Sequence, residues 1–322
     1  MVSPSLNILV TGANGFVGKS LITALKKQGI SFVGVGRQSV KSDSDSFFSV
    51  PDFCTADAWI EPLANCITVI HLAARVHVMK DKSINSLAEF RKVNVDGTLN
   101  LAQQAAKAGV KRFIFISSIK VNGEHAELGK PFKEIAAANP QDAYGISKHE
   151  AEQGLLLIAQ QTGMEVVIIR PPLVYGVGVK ANFASIMMAV RRGIPLPLGA
   201  IHNKRSFVYV GNLVSLIMCC IHHPAAANQI FLVSDGQDLS TTELLKKCAE
   251  ALGLKSRLLP VPQKLVEAGA TLLGRRALAQ RLCGNLQVDI TKTRELLGWE
   301  PPFSVSDGLK ATALGMAELN RK

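Results

Sequence analysis

The run Leu6-Asn7-Ile8-Leu9-Val10-Thr11-Gly12-Ala13-Asn14-Gly15-Phe16-Val17-Gly18 decides how the rest of the chain is read. Leu6 to Val10 is apolar and short, as a buried strand is. Three glycines follow, and a helix then runs to about Gln28 with Val17, Leu21, Ile22 and Leu25 on its inner face. Strand, glycine loop and helix in that order are what a dinucleotide site requires. The glycines permit a tight turn and close approach of the backbone to a pyrophosphate, and the helix N-terminus offers free N–H groups. Gly12, Asn14, Gly15, Phe16, Val17 and Gly18 are therefore candidate cofactor contacts. An ordinary glycine-rich turn has the same composition, so the flanking chain must decide.

The second strand, Ser31 to Val35, ends in Gly34-Val35-Gly36-Arg37. An NAD site usually places a carboxylate here for the ribose 2′-hydroxyl, whereas an Arg accommodates a 2′-phosphate. Arg37 thus favours NADP(H), with NAD(H) possible. A polar loop over 38–46 leads to a third strand, Phe47 to Phe53, whose Asp52 either meets the adenine or starts the next turn. Ile67 to Ala74 is a fourth, buried strand, and His71 inside it suits a hydrogen-bonded core histidine better than a ligand or base. Residues 84–108 have helical spacing but carry Asn94, a weak helix former with a bridging or functional use. A fifth strand, Val110 to Ser118, ends in two hydroxyls on what would be the ligand-binding edge of a parallel sheet. A sixth, Glu165 to Ile169, ends in Arg170-Pro171-Pro172. Alternating strands and helices define an α/β chain: a Rossmann-type doubly wound parallel sheet over 1–175. A smaller C-terminal substrate-binding lobe, 176–322, is interleaved with it.

Tyr144 and Lys148 lie four residues apart in Asp142-Ala143-Tyr144-Gly145-Ile146-Ser147-Lys148, at the start of a helix that Gly163 closes. Both side chains share one helix face. An ammonium beside a phenol lowers the phenol's pKa from about 10. Such a pair can pass a proton to or from an alcohol oxygen. The spacing alone is also that of any half-exposed helix face.

The hydrophobic fraction is 48%, ample for a large core, and no run of about 18 apolar residues predicts a membrane span. Met1 to Val10 lacks the features of a signal peptide, so a cytoplasmic protein is expected. Six cysteines occur without a C-x-x-C pair, and no histidines take metal-ligand spacing, so thiols and no metal are expected. The net charge of +11 suits an anionic partner, or weak association with an acidic membrane surface. The basic residues occur only as doublets, which argues against nucleic acid.

Taken together, these pieces resemble the extended short-chain dehydrogenase/reductase family, in its nucleotide-sugar branch typified by UDP-glucose 4-epimerase. Thr11-Gly12-x-x-Gly15-x-x-Gly18 is similar to the family's glycine motif. His71-Leu72-Ala73-Ala74 resembles its fourth-strand signature, and Asn94 its asparagine in Asn-Val-x-Gly-Thr. Ser117-Ser118 resembles its serine pair, and Tyr144 with Lys148 its Tyr-x-x-x-Lys. Arg170-Pro171, Lys204-Arg205-Ser206-Phe207-Val208 and Leu297-Gly298-Trp299-Glu300-Pro301 resemble later landmarks. The resemblance implies Ser118, Tyr144 and Lys148 as catalytic. It places Leu72, Ala73, Ala74, Asn94, Tyr144, Lys148 and Pro171 on the cofactor, and Ser118, Asn182 and Arg205 on a UDP-sugar. It also implies a homodimer through helices 84–108 and 142–163.

Dehydratases of the family carry an Asp-Glu pair where this chain has Ser117-Ser118-Ile119-Lys120, so elimination is not expected. The run Ser117 to Glu124 resembles a bacterial surface-polysaccharide subgroup that includes the 4-keto reductases of the UDP-N-acetylquinovosamine pathway. With Arg37, this points first to a UDP-4-keto-6-deoxy-HexNAc reductase and second to a UDP-glucose or UDP-N-acetylglucosamine 4-epimerase. A non-catalytic NADP-sensing binding protein is the alternative of another class. Lys120 stands where the family often has a small residue, and its role is open between phosphate, cofactor and solvent.

Overall fold

The computed structural model describes residues 7–37, 46–55, 57–76, 86–179 and 181–319. The N-terminal six residues and nearly all of the expected 38–46 loop lie outside them. Strand β1 (Asn7–Thr11) leads through the glycine loop into helix α1 (Phe16–Lys27) and strand β2 (Phe32–Gly36). β3 (Ser46–Ser49) is shorter than expected, because the chain turns at Asp52, whose carboxylate accepts from Cys54 N at 3.0 Å. β4 (Cys66–His71) precedes α2 (Ser86–Arg91), one π-type turn (Lys92–Asp96) and α3 (Gly97–Lys107). The single helix expected over 84–108 is therefore broken at Asn94.

β5 (Arg112–Ile116) ends in a 3-10 turn (Ile119–Val121) that brings the chain to α4 (Ala143–Thr162) and β6 (Glu165–Arg170). Beyond it come β7 (Leu173–Tyr175), α5 (Ala181–Arg191), β8 (Phe207–Tyr209), α6 (Val210–His222) and β9 (Ile230–Leu232). The chain closes with α7 (Thr241–Ala251), α8 (Gln263–Leu272), α9 (Arg276–Cys283), α10 (Thr291–Leu297) and α11 (Val305–Leu319).

Among the described residues the main sheet has seven parallel strands in the order β3-β2-β1-β4-β5-β6-β9. The order reverses between β1 and β4, where Thr11 pairs with His71. A crevice opens at such a switch point, outside the carboxyl ends of the strands. Alternate strand residues face opposite layers. Ile8, Val10, Ile70, Ile114 and Val167 pack with Leu21 and Leu25 of α1 and Leu213, Leu216 and Ile217 of α6. Leu9, Val69, Phe113, Phe115 and Ile168 pack with Leu101 and Ala105 of α3 and Leu155 and Ile158 of α4. A third cluster fills the later lobe, with Tyr175, Phe183, Met187, Leu244, Leu245 and Leu309. β9 and α6 lie beyond residue 175 yet complete the main sheet and cover one face of it.

Candidate active site

The glycine loop has a shape that larger residues cannot take. Gly12 has φ +67°, and a Cβ there would lie 2.8 Å from Ala73 N. A Cβ on Gly18 would overlap Gly12 O, and one on Gly15 would lie 3.0 Å from the same oxygen. Gly15 is the N-cap of α1 and offers no capping side chain; the first turn holds no carboxylate. Asn14 and Gly15 are exposed, while Phe16 and Val17 lean on the sheet core. Leu72, Ala73 and Ala74 follow β4 across the crevice, half-buried. The backbone cradle and its uncapped helix end suit a pyrophosphate, so the residues present fit a nicotinamide dinucleotide.

Arg37 is exposed just past β2, with no carboxylate on the last β2 residue, Gly36. Asp52 lies on the same edge, but one of its oxygens is held by the Cys54 turn and the other is 3.7 Å from Lys92 Nζ. Asn94 is buried and ties two elements to the crevice. Its Oδ1 accepts from Arg75 N at 2.8 Å, and its Nδ2 donates to Arg75 O and Ser147 Oγ at 3.0 Å each. The π turn aims the amide at these partners, which accounts for a weak helix former inside a helix. His71 is satisfied on both nitrogens, by Thr11 Oγ1 at 2.7 Å and Thr98 Oγ1 at 2.9 Å. Burial presses its pKa down to about 3, with Lys148 as a secondary cause.

Ser118 follows β5 in extended conformation, and its Oγ accepts from Lys120 N at 3.2 Å. Asp142 caps α4 by accepting from Gly145 N at 2.7 Å, a bond worth about 1 kcal/mol. The capped turn carries Tyr144, half-buried and edge-on to Phe90, with the Ser118 hydroxyl near enough to act on its phenol. Lys148, fully buried, donates to Ile116 O at 2.9 Å and sits 4.4 Å from the centre of the Phe115 ring. Its Nζ is 6.0 Å from the Tyr144 ring centre.

The electrostatics differ from the expectation of a lowered phenol pKa. Burial first, then the Asp142 charge, push Tyr144 above its ordinary range; only the Ser118 hydroxyl acts downward. The Lys148 ammonium is turned towards β5 and is itself pressed down to about 7 by burial, with Glu152 opposing. Lys120 also finds a definite place. Its Nζ donates to Glu124 Oε1 at 2.8 Å and pairs with the Asp142 carboxylate.

A buried network behind Lys148 was missed in the sequence. Glu152 accepts from Arg170 Nη2 at 2.6 Å, Arg170 Nε at 3.0 Å and Ser117 Oγ at 2.5 Å; Arg170 also donates to Asn122 Oδ1 at 3.0 Å. Its signal was present: Glu152 is one helix turn beyond Lys148, and Arg170 ends a strand. Pro171 is buried, and its O accepts from Ile119 N at 3.0 Å, which anchors the Ser118 loop to β6.

Arg205 is half-buried and donates from Nη1 to Gly284 O at 3.0 Å. Burial lowers its pKa, and the nearby Glu124 charge acts upward. Asn182 lies in the first turn of α5, and its side chain is outside the described residues. The structure thus gathers Ser118, Tyr144 and Lys148 at the carboxyl edge beside the glycine loop.

A doubly wound parallel sheet with this triad at its switch-point edge defines an enzyme of the extended short-chain dehydrogenase/reductase type. Residues 8–234 match the family described as NAD dependent epimerase/dehydratase, and the chain belongs to that family. It is 49% identical over 318 residues to a UDP-glucose 4-epimerase of Vibrio cholerae, covering 98% of this chain and 97% of the relative. The solved UDP-glucose 4-epimerase of Thermotoga maritima with UDP-glucose superposes with TM-score 0.79 at 26% identity, covering 98% of this chain and all of that one. MoeE5 in complex with UDP-glucuronic acid and NAD gives TM-score 0.77 at 25% identity, covering 97% of this chain and 99% of that one.

Proposed function

We propose that this enzyme is a 4-epimerase of a UDP-hexose that uses NAD. The carrying observation is the gathering of Ser118, at the end of β5, with Tyr144 and the buried Lys148 of α4 at the carboxyl edge of the sheet. The nearly full-length similarity to a UDP-glucose 4-epimerase favours this over the 4-keto-sugar reductase that the Ser117–Glu124 run and Arg37 suggested.

When bound, the dinucleotide supplies a reversible hydride acceptor at the sugar C4. The chain does the rest. Ser118 donates a hydrogen bond to the C4 oxygen and bridges it to Tyr144. Tyr144 takes the C4 hydroxyl proton as the carbon is oxidised and returns it on reduction from the other face. Lys148 sits beneath the site on Ile116 O, and Glu152 behind it favours its charged form against burial. Backbone N–H groups around Gly12–Gly18 hold the pyrophosphate, and Leu72–Ala74 and Pro171 wall the crevice. Arg205 and Asn182 take the substrate diphosphate, for which a guanidinium's fork of donors is suited. A cytoplasmic homodimer built on α2–α3 and α4 goes with this reading, and Leu157, 53% exposed on α4, gives that face an apolar residue to cover. Arg37 tolerates a 2′-phosphate, so NADP is the second cofactor to test.

The purified chain is incubated with UDP-glucose and, separately, UDP-N-acetylglucosamine, without added reductant. Proton NMR of the products should show the C4 epimer appearing to equilibrium, and denatured protein should release NAD. Net turnover of a 4-keto sugar only with stoichiometric NADPH would replace the epimerase with the reductase. Failure to bind either dinucleotide would remove both and leave neither enzyme reading.

A further inference from the structure

The α8–α9 hairpin is anchored on one side and bare on the other. Val266, Leu282 and the buried Cys283 pack on the core of the later lobe. On the outer side Leu265 is 62% exposed, Leu272 88%, Leu273 76% and Leu278 47%. Leu265, Ala268 and Leu272 are spaced three and four apart, so they share a face of α8, and Ala268 is exposed too. Leu272-Leu273 form the tip, and Gly274-Arg275-Arg276 turns the chain back into α9. Leu259, 50% exposed, precedes the hairpin.

Charge concentrates on the same segment. Residues 255–281 carry Lys255, Arg257, Lys264, Arg275, Arg276 and Arg281 against one carboxylate, Glu267. That surplus of five is nearly half of the chain's +11. Lys255, Arg257, Lys264, Arg275, Arg276 and Arg281 are all exposed. The epimerase chemistry uses none of these features.

We propose that the α8–α9 hairpin docks the enzyme on the surface of an anionic lipid bilayer, with Leu272-Leu273 entering the headgroup boundary and the flanking arginines on lipid phosphates. An amphipathic element with leucines on one face and Lys/Arg beside them lies in the interface with its apolar side about 5–10 Å deep. Each basic residue near an anionic surface strengthens binding about fivefold. A second copy of the chain fits the patch poorly, because an isologous contact would set one basic surplus against another. Nucleic acid would pair the arginines but leave the leucines in water. Docking brings the bilayer beside a cavity of about 520 Å³ between the hairpin's Glu267, Thr271 and Gln280 and His125. Gly284, which accepts from Arg205, lines that cavity as well.

The docking stands whether or not the sugar reaction is a 4-epimerisation. It is tested by cosedimentation of the full chain with large vesicles of phosphatidylcholine, alone or mixed with phosphatidylglycerol. The wild type should sediment with phosphatidylglycerol vesicles, release as salt is raised, and stay in solution with phosphatidylcholine. The double change Leu272→Ser, Leu273→Ser should lower partition about tenfold or more, and Arg275→Gln about fivefold. Both variants should keep wild-type turnover of soluble nucleotide sugar. Three outcomes overturn the proposal: no binding to phosphatidylglycerol vesicles at low salt, unchanged binding by both variants, or wild-type pelleting without vesicles.

Discussion

The Tyr144 phenol is poised by neighbours of opposite effect. Burial and the Asp142 carboxylate hold its proton on, while the Ser118 hydroxyl favours its loss. Tyr144→Phe removes the proton carrier and keeps the ring on Phe90. Turnover should fall about 10²–10⁴-fold, the range of general acid–base catalysis, with the melting temperature within a degree or two of wild type. Steady-state kinetics with a thermal melt check both. Lys120 acts on the same proton indirectly, since its ammonium faces the Asp142 carboxylate. Lys120→Met removes the cation that faces that carboxylate, so the phenol pKa rises further. The acidic limb of the turnover profile, where the phenol must lose its proton to act as base, should then move to higher pH, and Lys120→Arg should restore it; an unmoved profile would make the pair purely structural. Ser118, Tyr144 and Lys148 were legible because their spacing and strand-end position are local. The direction of the Tyr144 shift was not, because it depends on desolvation and on an N-cap carboxylate whose distance exists only once α4 is docked.

At the scale of elements, His71 joins three of them. It sits on β4 and hydrogen-bonds Thr11 of β1 and Thr98 of α3. As a base whose folded pKa is pressed from 6.5 to about 3, it binds fewer protons folded than unfolded within that window. Its contribution to stability is therefore present above pH 6.5 and lost as pH falls towards 3, by about 1.4 kcal/mol per pH unit. Denaturant melts between pH 7 and 4 should show this slope, and His71→Gln should flatten it; equal slopes would mean that other groups dominate. The parallel strands were legible as apolar runs bounded by turns. The break in the helix at Asn94 was visible only as a misplaced amide, since a π turn is made by tertiary partners, here Arg75 and Ser147, and has no periodicity of its own. The apolar run to Phe53 overstates β3 for a similar reason: the Asp52 turn ends it, and Phe53 is buried past the strand, not in it.

At the scale of the molecule, the two expected domains share one sheet. β9 pairs with β6 through Ile168–Ile230, Ile169–Phe231 and Arg170–Leu232, and α6 covers the face that α1 leaves open. The later lobe was hard to read because β7, β8 and β9 are three residues each, too short for a period, while its core is drawn from five helices, the short strands β7 and β8 and scattered loops. A fragment ending at residue 175 would strip α6 from Val167, Ile169, Ile70 and Ile114 and leave β6 as an apolar edge. Each large side chain so exposed costs about 1.5–3 kcal/mol, and four of them match the whole stability of a typical domain. The fragment should show no cooperative thermal transition, bind a hydrophobic dye and fail to bind dinucleotide, whereas the full chain melts once. A fragment that melts cooperatively and binds NAD would show that the first half is an independent domain, and that β9 and α6 are an addition to it.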